Sequence, residues 1–577
     1  MLVVGAGAAA LIALALFASN KVEQEALRKK QVMPALVVLP FENVGRKDGQ
    51  EFADGMTEEI TNRLASLHGL RVIGRQSAKS YAGSTKTPQE IATELGVNYV
   101  LTGTVRWDKA PDGIDLVRVS PALLRREDAT QMWAEAYQTV LSGMFDVQSK
   151  VATEVANALN LTLLTPERQA LDAKPTENRR AYSLYVRGRY LLDNSFQVEP
   201  IREATAALEK ATEADPGFAL AWALLAVAHT ELYWFGGDPT QERLKKARDA
   251  LDKAMALDPD VADVHLARGA FLYQGERDYD AALREFAVTR ALRPSDPNVP
   301  LYEGAIQRRQ GKWDEAVESY KRAIDLDPRL GGNILDLANT LVYLNRYREG
   351  EPYVDQGMIL TPTEAMGPRL KAQIAINARG NVPEAIEHMR NAVHTVQPRS
   401  ALINLLLAEP WPAVEDGSLR KILVDATYFP EITRGSFYTG KATVMLYLGD
   451  IPRARSYADS AITAITSDIR GVAEPSNMYV NLAIAQSIRG NAREALGAFA
   501  RAEDALPASL DAFNAGTREN TRIMILTNLG DYEGAISQME KRLDIPGGVT
   551  HNFLRLNPLF APMTANPRFQ RLALNRG

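Results

Sequence analysis

Hydrophobic and small residues recur along residues 261–362 with a nearly constant period. Each copy has a small residue, a large residue four positions later and a proline eight positions after that: Ala282, Phe286 and Pro294; Ala316, Tyr320 and Pro328; Gly350, Val354 and Pro362. The small residue advances by 34 positions twice, and Ala247 precedes Ala282 by 35. A fixed period of this length predicts one supersecondary unit stacked on copies of itself.

The pattern within one copy predicts two antiparallel helices. Leu266, Gly269 and Tyr273 recur at helical spacing in the first helix, and Ala282 and Phe286 do so in the second. Small residues let the two helices approach closely, and the proline ends the second helix because it has no N–H. These recurring positions resemble the tetratricopeptide repeat, which implies an α-solenoid that binds protein or peptide partners.

The first helix of each pair, helix A, is expected to line the inner wall of such a superhelix. The positions predicted to face inward, and so to bind a partner, are Phe271, Gln274, Leu301, Arg308, Arg309, Leu335, Asn339 and Tyr343. Apolar, amide and cationic groups together suit a peptide with acidic or backbone-polar features. The alternative at each position is packing between neighbouring repeats.

The repeat register extends over residues 181–546. Ala204 marks a first copy, and Ala385, Ala454, Ala495 and Ala535 mark later ones. Three prolines within residues 400–435 predict a degenerate repeat there. Residues 547–577 are expected to form an atypical C-terminal cap.

Residues 34–165 follow a different pattern, in which short apolar runs alternate with helical periods. Strands are predicted at 35–41, 70–75 and 98–107, helices at 51–67, 87–95 and 144–160, and two further strands at 114–126 and 130–140. This order predicts a small α/β or α+β sheet domain. Residues 166–180 are polar and contain two prolines, which favours a linker or a frayed helix. The expected fold is therefore mainly α, a solenoid preceded by a small α/β domain.

The sheet domain also carries a family resemblance. Its stretches VVLPFENVGRKDGQEFADGMTEEITNRLASLHGLRVIGRQS, IATELGVNYVLTGTVR and WAEAYQTVLSGMFDVQSKVATEVANAL are similar to the TolB-like (FlgO-like) domain of bacterial signalling proteins. The resemblance implies an N-terminal Ser/Thr kinase, adenylyl cyclase or winged-helix output domain, then one membrane helix, this domain and a tetratricopeptide array. The output domain is expected to be missing or encoded separately here, so no catalytic residue is carried over.

The N-terminal residues predict a membrane anchor. Residues 1–20 carry no charge, and an apolar helix through 2–19 would rise about 27 Å, close to the thickness of a hydrocarbon core. Residues 21–33 form a charged juxtamembrane linker. A cleaved signal peptide is one alternative, and a dinucleotide-binding G-x-G-x-x-A turn at Gly5–Ala10 is another. A single-pass protein of the bacterial inner membrane is expected, with its soluble part in the periplasm; the alternative is the cytoplasm, which the following lysines and arginines favour.

Composition and motifs exclude several classes of site or make them unexpected. The net charge of −5 gives no reason to expect nucleic-acid binding, and the lack of cysteine excludes disulfides, thiolate metal sites and a cysteine nucleophile. The six histidines have no metal-binding spacing, so neither a metal nor a cofactor is expected. Gly435–Lys441 matches a phosphate-loop frame, but Ala442 follows where a hydroxyl is needed, and the repeat register predicts helix packing there.

The predicted function is that of a membrane-anchored, non-enzymatic scaffold or adaptor that binds protein or peptide partners. A membrane complex is one assembly in which it would do so. The alternative is the sensory or regulatory portion of a bacterial kinase or adenylyl cyclase system.

Overall fold

The structure, a computed structural model, describes residues 33–45, 49–109, 115–140, 144–194 and 198–574. The chain divides into two compact units. The first ends at Lys174 and also includes Arg293–Ser295, and the second contains Pro175–Leu292 and the residues from Asp296 onward. The first unit is an α/β domain, and the second is helical.

The first unit contains a mixed sheet. Its strands in the described residues are β1 (Ala35–Val38), β2 (Glu42–Val44), β3 (Arg71–Val72), β4 (Tyr99–Lys109), β5 (Asp115–Arg125), β6 (Gln131–Ala134) and β7 (Tyr137–Val140). The strand order is β3-β1-β4-β5-β6, with β2 beside β4 and β7 beside β5. Strands β1, β3 and β4 are parallel, and β5 runs antiparallel to β4 over its whole length.

Helices cover both faces of this sheet. They are α1 (Gln50–Ala65), α2 (Arg75–Lys79), α3 (Pro88–Glu94), α4 (Met144–Ala158) and α5 (Thr165–Asp172). One core joins α1 and α4 to the sheet through residues such as Ile60, Val151 and Leu101, and a smaller core joins α3 to β1 through Ile91 and Val37. This is the small α/β domain that the alternating pattern predicts.

Two local details differ from the sequence prediction. The predicted strand over 130–140 is two strands, β6 and β7, which both pair with β5. The segment predicted as a linker, 166–180, contains α5, whose Leu171 belongs to the core of the first unit.

The second unit is built from helices. In the described residues these are α6 (Arg179–Asn194), α7 (Val198–Ala214), α8 (Ala219–Trp234), α9 (Gln241–Leu257), α10 (Ala262–Phe271), α11 (Tyr279–Leu292), α12 (Asn298–Arg309), α13 (Trp313–Leu326), α14 (Gly331–Tyr343), α15 (Tyr347–Leu360), α16 (Met366–Asn377), α17 (Val382–Thr395), α18 (Arg399–Ala408), α19 (Pro410–Glu415), α20 (Gly417–Asp425), α21 (Arg434–Tyr447), α22 (Ile451–Asp468), α23 (Ser476–Arg489), α24 (Ala492–Ala505), α25 (Ala512–Asn528), α26 (Tyr532–Arg542), α27 (His551–Leu556) and α28 (Pro567–Ala573). A π-helix, Leu272–Glu276, continues α10, and a 3₁₀ helix, Pro558–Met563, follows α27.

These helices pack as consecutive pairs, from α6 with α7 to α16 with α17 and again from α21 with α22 to α25 with α26. The packing follows the small and aromatic positions of the repeat. Ala282, Ala316, Phe286 and Tyr320 are all fully buried, and a Cβ added to Gly269 would lie 2.4 Å from a ring carbon of Phe286. Small residues are therefore required where helix A meets the aromatic of its partner helix.

The turns inside the pairs share one backbone conformation. In the described turns from the second pair onward, one residue has a positive φ: Gly236, Arg277, Gly311, Asn345, Gly380, Gly449, Gly490 and Gly530. Glycine and asparagine adopt this left-handed conformation most readily. The arginine at position 277 departs from that rule.

The sequence predicted to be a degenerate repeat forms the short helices α18, α19 and α20. Beside them, the phosphate-loop-like stretch lies in α21, where Ala442 is fully buried, as the repeat register predicts. The Lys441 ammonium group donates to the carbonyl oxygens of Leu423, Val424 and Ala426 at 2.9, 2.7 and 3.2 Å. This lysine caps the end of α20.

The predicted membrane helix through residues 2–19 lies outside the described residues. Within the residues that are described, no helix is both long enough and apolar enough to cross a bilayer.

Candidate functional site

In the second unit, residues at the C-terminal ends of several A helices, or in the turns that follow them, contact a later part of the array. Arg277 donates to Glu474, Arg309 to Asp511 and Asn345 to the Ile545 carbonyl, over separations of 197, 202 and 200 residues. The separation is nearly constant because it is close to six repeat lengths. We call this row of contacts the seam.

Arg309, a predicted site residue, lies at the centre of the seam. Its guanidinium pairs with the fully buried Asp511 carboxylate, and its Nε donates to the Tyr273 hydroxyl at 3.0 Å. The same guanidinium lies 4.9 Å from the Trp234 ring. Asp511 also accepts from the Asn514 backbone N–H at 3.0 Å and so caps α25. The charge of Arg309 is thus satisfied within the unit.

Arg308, next in sequence, lies against aromatic rings. Its guanidinium is 4.5 Å from the Phe513 ring and 5.5 Å from the Tyr320 ring. Its hydrogen bonds to Asp336 and Thr340 are long, at 3.4 and 3.3 Å, and its Nε has no partner in the described residues. Asp336 thus forms a long ion pair with Arg308, and although burial lowers the pKa of this guanidinium, Tyr320 and Asp336 raise it overall.

Asn339 contacts a residue that the sequence prediction missed. The Asn339 carboxamide oxygen accepts from the Arg369 guanidinium at 3.4 Å. Within the described residues, that is the guanidinium's one hydrogen bond, and no ion pair accompanies it. Burial lowers the pKa of Arg369, the Glu409 carboxyl opposes this change, and the nearby Arg308 charge lowers the pKa further. Arg308 and Arg369 therefore lie on the A helices α12 and α16, on either side of the helix that carries Asn339, and of the two only Arg369 has no ion pair in the described residues.

The three residues lie on a diagonal across consecutive A helices. Arg308, Asn339 and Arg369 follow the prolines at the ends of the preceding B helices by 14, 11 and 7 positions. Each step moves about one helical turn toward the start of helix A. A search for equal positions in successive repeats misses Arg369, whereas a search along such diagonals would find it.

The Glu409 carboxyl is close enough to Arg369 for the charge of each group to shift the pKa of the other. Burial raises the pKa of the Glu409 carboxyl, and the Arg369 charge opposes that change. Glu409 makes no ion pair with Arg369 within 4.0 Å in the described part of the chain. The Glu409 carboxyl therefore offsets part of the positive charge of Arg369 without forming a direct ion pair with it.

Tyr343 belongs to the seam. Its ring lies 4.5 Å from that of Phe513, its hydroxyl donates to the Ala512 carbonyl at 3.2 Å, and its own carbonyl accepts from the Gly547 N–H at 2.7 Å. Burial raises its pKa to about 12. The hydroxyl therefore stays protonated and able to donate at neutral pH.

The remaining predicted positions are Leu335, Leu301, Phe271 and Gln274. Leu335 belongs to the hydrophobic core between helix pairs, and Leu301 packs against the core around Tyr320. Phe271 and Gln274 are buried, and Phe271 forms part of a cavity wall next to Arg277. Packing between repeats, the alternative at each position, describes Leu335 and Leu301.

Within the described residues, no group of three or more His, Asp or Glu side chains is placed to hold a metal ion.

Comparison with known proteins identifies one of the helix pairs. The profile of the tetratricopeptide repeat family matches residues 301–330, which lie within the α12–α13 pair. The chain therefore contains a tetratricopeptide repeat.

Two curated proteins are similar over part of the chain. The protein named "Putative adenylate cyclase 3" of Rhizobium meliloti (strain 1021) is 34% identical over 225 residues, which is 38% of this chain and 37% of that protein. The mitochondrial import receptor subunit TOM70 of Rattus norvegicus is 28% identical over 150 residues, or 26% of this chain and 22% of that protein. The chain thus matches little more than a third of the first and about a fifth of the second.

Among solved structures, the type IV pilus biogenesis factor PilW is similar at 21% identity and a TM-score of 0.31, over 42% of this chain and 98% of that one. PilF of Pseudomonas aeruginosa is similar at 22% identity and a TM-score of 0.29, over 37% and 91%.

Proposed function

We propose that this protein is a membrane-anchored, non-enzymatic adaptor that binds an acidic segment of a protein partner along the Arg308–Asn339–Arg369 diagonal. The observation that carries the proposal is the Arg369 guanidinium, which has one long hydrogen bond and no ion pair in the described residues. The tetratricopeptide repeat match at residues 301–330 supports a role in protein binding.

The chemistry of the diagonal favours a carboxylate ligand. Guanidinium groups bind carboxylates through two parallel N–H···O bonds, which are stronger than neutral hydrogen bonds. Two such groups on α12 and α16, with the Asn339 amide on the intervening A helix α14, would hold acidic side chains spaced along an extended peptide. A bound carboxylate would also relieve the repulsion between Arg308 and Arg369.

The location belongs to the same proposal. The apolar residues 2–19 would anchor the protein in the bacterial inner membrane, with the TolB-like first unit and the repeats in the periplasm; the alternative is the cytoplasm. Deleting residues 2–19 is expected to move the protein from the membrane fraction to the soluble fraction. If the deleted form stays with the membrane, the anchor lies elsewhere.

A second function is supported by the similarity to the Rhizobium meliloti protein, which is named as an adenylate cyclase. In this case the chain would be the regulatory portion of a cyclase or kinase system. A cyclase or kinase coding region in frame upstream would favour this function.

The binding proposal can be tested with a defined probe. A fluorescein-labelled decapeptide that alternates Asp and Glu with Ala is titrated with the protein, and its anisotropy is compared with that of the Asn/Gln equivalent. The acidic peptide is expected to bind at least tenfold more tightly, and its affinity is expected to fall as salt is raised.

Matched variants locate the binding surface. Arg369→Ala should weaken binding of the acidic peptide at least tenfold, because it removes the least neutralised cation of the diagonal. Arg455→Ala removes an exposed arginine on α22 and should change binding less than twofold. Equal effects of the two substitutions would contradict the proposed surface.

A further inference from the structure

A cavity of about 380 Å³ lies beside Arg277, apart from the Arg308–Asn339–Arg369 diagonal. One wall comes from the second and third helix pairs and includes Tyr233, Arg248 and Phe271, and the other includes Glu474 and Ala505. The cavity therefore spans the seam, and its size is that of a site for a small molecule. We call it the Arg277 cavity.

The backbone at Arg277 has an unusual conformation for its residue type. Its φ is +58°, in a turn position that glycine or asparagine occupies in the other described pairs from the second onward. A side chain with a Cβ is disfavoured in this left-handed region. Arginine at this position is therefore held at a cost in backbone strain, which is a frequent feature of binding sites.

The helix before Arg277 also departs from the repeat. The segment from Pro259 to Ala282, like that from Pro362 to Ala385, is one residue longer than those from Pro294 to Ala316 and from Pro328 to Gly350, but of the two longer segments only the first contains a π-helix in the described residues. The extra residue is accommodated where α10 changes to the π-helix Leu272–Glu276. Such insertions are rare and often lie at functional sites. Here the π-helix supplies Gly275 and Glu276 to the cavity wall.

The charges around the cavity have a positive excess. Lys245, Arg248 and Arg277 line it, against the carboxylates of Glu276 and Glu474. Arg248 pairs with Glu276, and Arg277 Nη2 donates to Glu474 at 3.4 Å. Arg277 Nη1 is buried, lies 3.8 Å from an Asp511 oxygen and has no hydrogen-bond partner in the described residues. This nitrogen is therefore directed at Asp511, and the lining of the cavity as a whole carries three cations against two carboxylates.

We propose that the Arg277 cavity binds a small anionic molecule whose carboxylate or phosphate group accepts hydrogen bonds from Arg277 and Arg248. Leu244 and the Phe271 ring provide a surface for the less polar part of the molecule. Because the two walls belong to opposite sides of the seam, a ligand that contacts both would hold the seam closed. Binding should therefore raise the melting temperature of the protein.

The experiment uses two probe anions and the full-length protein. Melting curves are recorded with 5 mM pyrophosphate, with 5 mM citrate and with sodium chloride at matched ionic strength. The expected result is a rise of at least 2 °C over the sodium chloride control with one probe or both. A response to pyrophosphate alone assigns the site to phosphates, and a response to citrate alone assigns it to carboxylates. No rise with either probe overturns the proposal.

Two variants test whether the rise in melting temperature comes from anion binding in the Arg277 cavity. Arg277→Gly restores the residue type that most of the equivalent turns contain, so the turn itself should not be strained, and the anion-dependent rise should disappear. Arg248→Gln changes a side chain that is 57% exposed, so this variant is expected to fold. It should at least halve the anion-dependent rise in melting temperature, and it tests the site if Arg277→Gly does not fold. An unchanged rise in a folded variant overturns the proposal. Arg369→Ala should retain the full rise, so this result is independent of acidic-peptide binding.

Discussion

Lys441 shows how one residue that resembles part of a nucleotide site serves a structural purpose. Its side chain is almost fully buried, and its ammonium group donates to three carbonyls at the end of α20. Burial lowers its pKa, yet the carbonyl dipoles suit a cation at a helix C-terminus. Replacing it would leave three carbonyls without this donor.

We expect Lys441→Met to lower the free energy of unfolding by about 3 kcal/mol, because buried carbonyl groups without donors are costly. Urea unfolding followed by circular dichroism measures the loss. Lys421→Met, at an exposed position on α20, is the matched control and should change stability by less than about 0.5 kcal/mol. A loss for Lys441→Met as small as that of the control would show that the cap contributes nothing.

His229 predicts a pH dependence. Burial lowers its pKa to about 4, and its Nδ1 lies 2.9 Å from an Arg243 guanidinium nitrogen, so the neutral ring must accept this bond. In the unfolded chain the imidazole binds a proton below about pH 6.5. The folded protein is therefore stabilised by the neutral His229 ring fully above pH 6.5, and this contribution to the free energy of unfolding is lost as the pH falls toward 4.

Between pH 7 and pH 5, this residue should remove about 2 kcal/mol from the free energy of unfolding. Urea titrations at the two pH values test this for the wild type and for His229→Gln, which no longer titrates at this position. The exposed His394→Gln variant should keep the wild-type pH dependence. Equal pH dependence in the wild type and His229→Gln would refute the assignment.

At the residue scale, the repeat period predicts which positions face inward but not what they contact. Arg308, Arg309 and Tyr343 contact Asp511 or Phe513 in a later part of the array. Asp511, about 200 residues away, cannot be inferred as the partner of Arg309 from that period. Arg369 was missed because the diagonal advances by a turn in each repeat.

At the scale of the elements, glycine positions separate close packing from free space. A Cβ on Gly269 would lie 2.4 Å from a Phe286 ring carbon, whereas a Cβ on Gly497 would meet nothing within 4 Å. Both glycines lie inside helices, so both alanine variants gain the same helix propensity. The difference between them therefore measures the packing between paired helices.

Gly269→Ala should destabilise the protein by about 1–3 kcal/mol through overpacking, and Gly497→Ala should stabilise it by about 0.5–1 kcal/mol. Thermal and urea unfolding of the two variants check the opposite signs. Stabilisation by both substitutions would mean that the Phe286 ring moves aside without cost.

The order of elements was predicted well in both units because each rests on a local pattern. Alternating apolar runs gave the strands β1, β3, β4 and β5, and the 34-residue period gave the helix pairs. The short strand β2 and the break between β6 and β7 were not predicted, because three or four residues carry too little pattern. The π-helix was not predicted either, although the spacing of 35 between Ala247 and Ala282 contains the extra residue.

At the scale of the second unit, the seam predicts that replacing the buried Asp511 carboxylate lowers the stability of the protein strongly. Asp511 caps α25 and also pairs with Arg309, whereas Asp531 caps α26 from an exposed position. Asp531→Ala should cost about 1 kcal/mol, the usual effect of losing a cap. Asp511→Ala should cost about 3–5 kcal/mol because it leaves a buried cation without its partner.

Urea unfolding of the two variants gives the comparison. The excess loss for Asp511→Ala over Asp531→Ala is the contribution of the seam ion pair. Similar losses in both variants would show that the pair contributes no net stability.

The seam also limits how this gene can evolve. Repeat proteins commonly gain or lose whole copies, because an open array tolerates a different number of them. Here the contacts join residues separated by nearly six copies, at 197, 202 and 200 residues. Duplication of one copy between Arg309 and Asp511 would place a different residue opposite every arginine of the row. Copy number in this stretch should therefore be conserved among descendants of this sequence, even where the surface residues diverge.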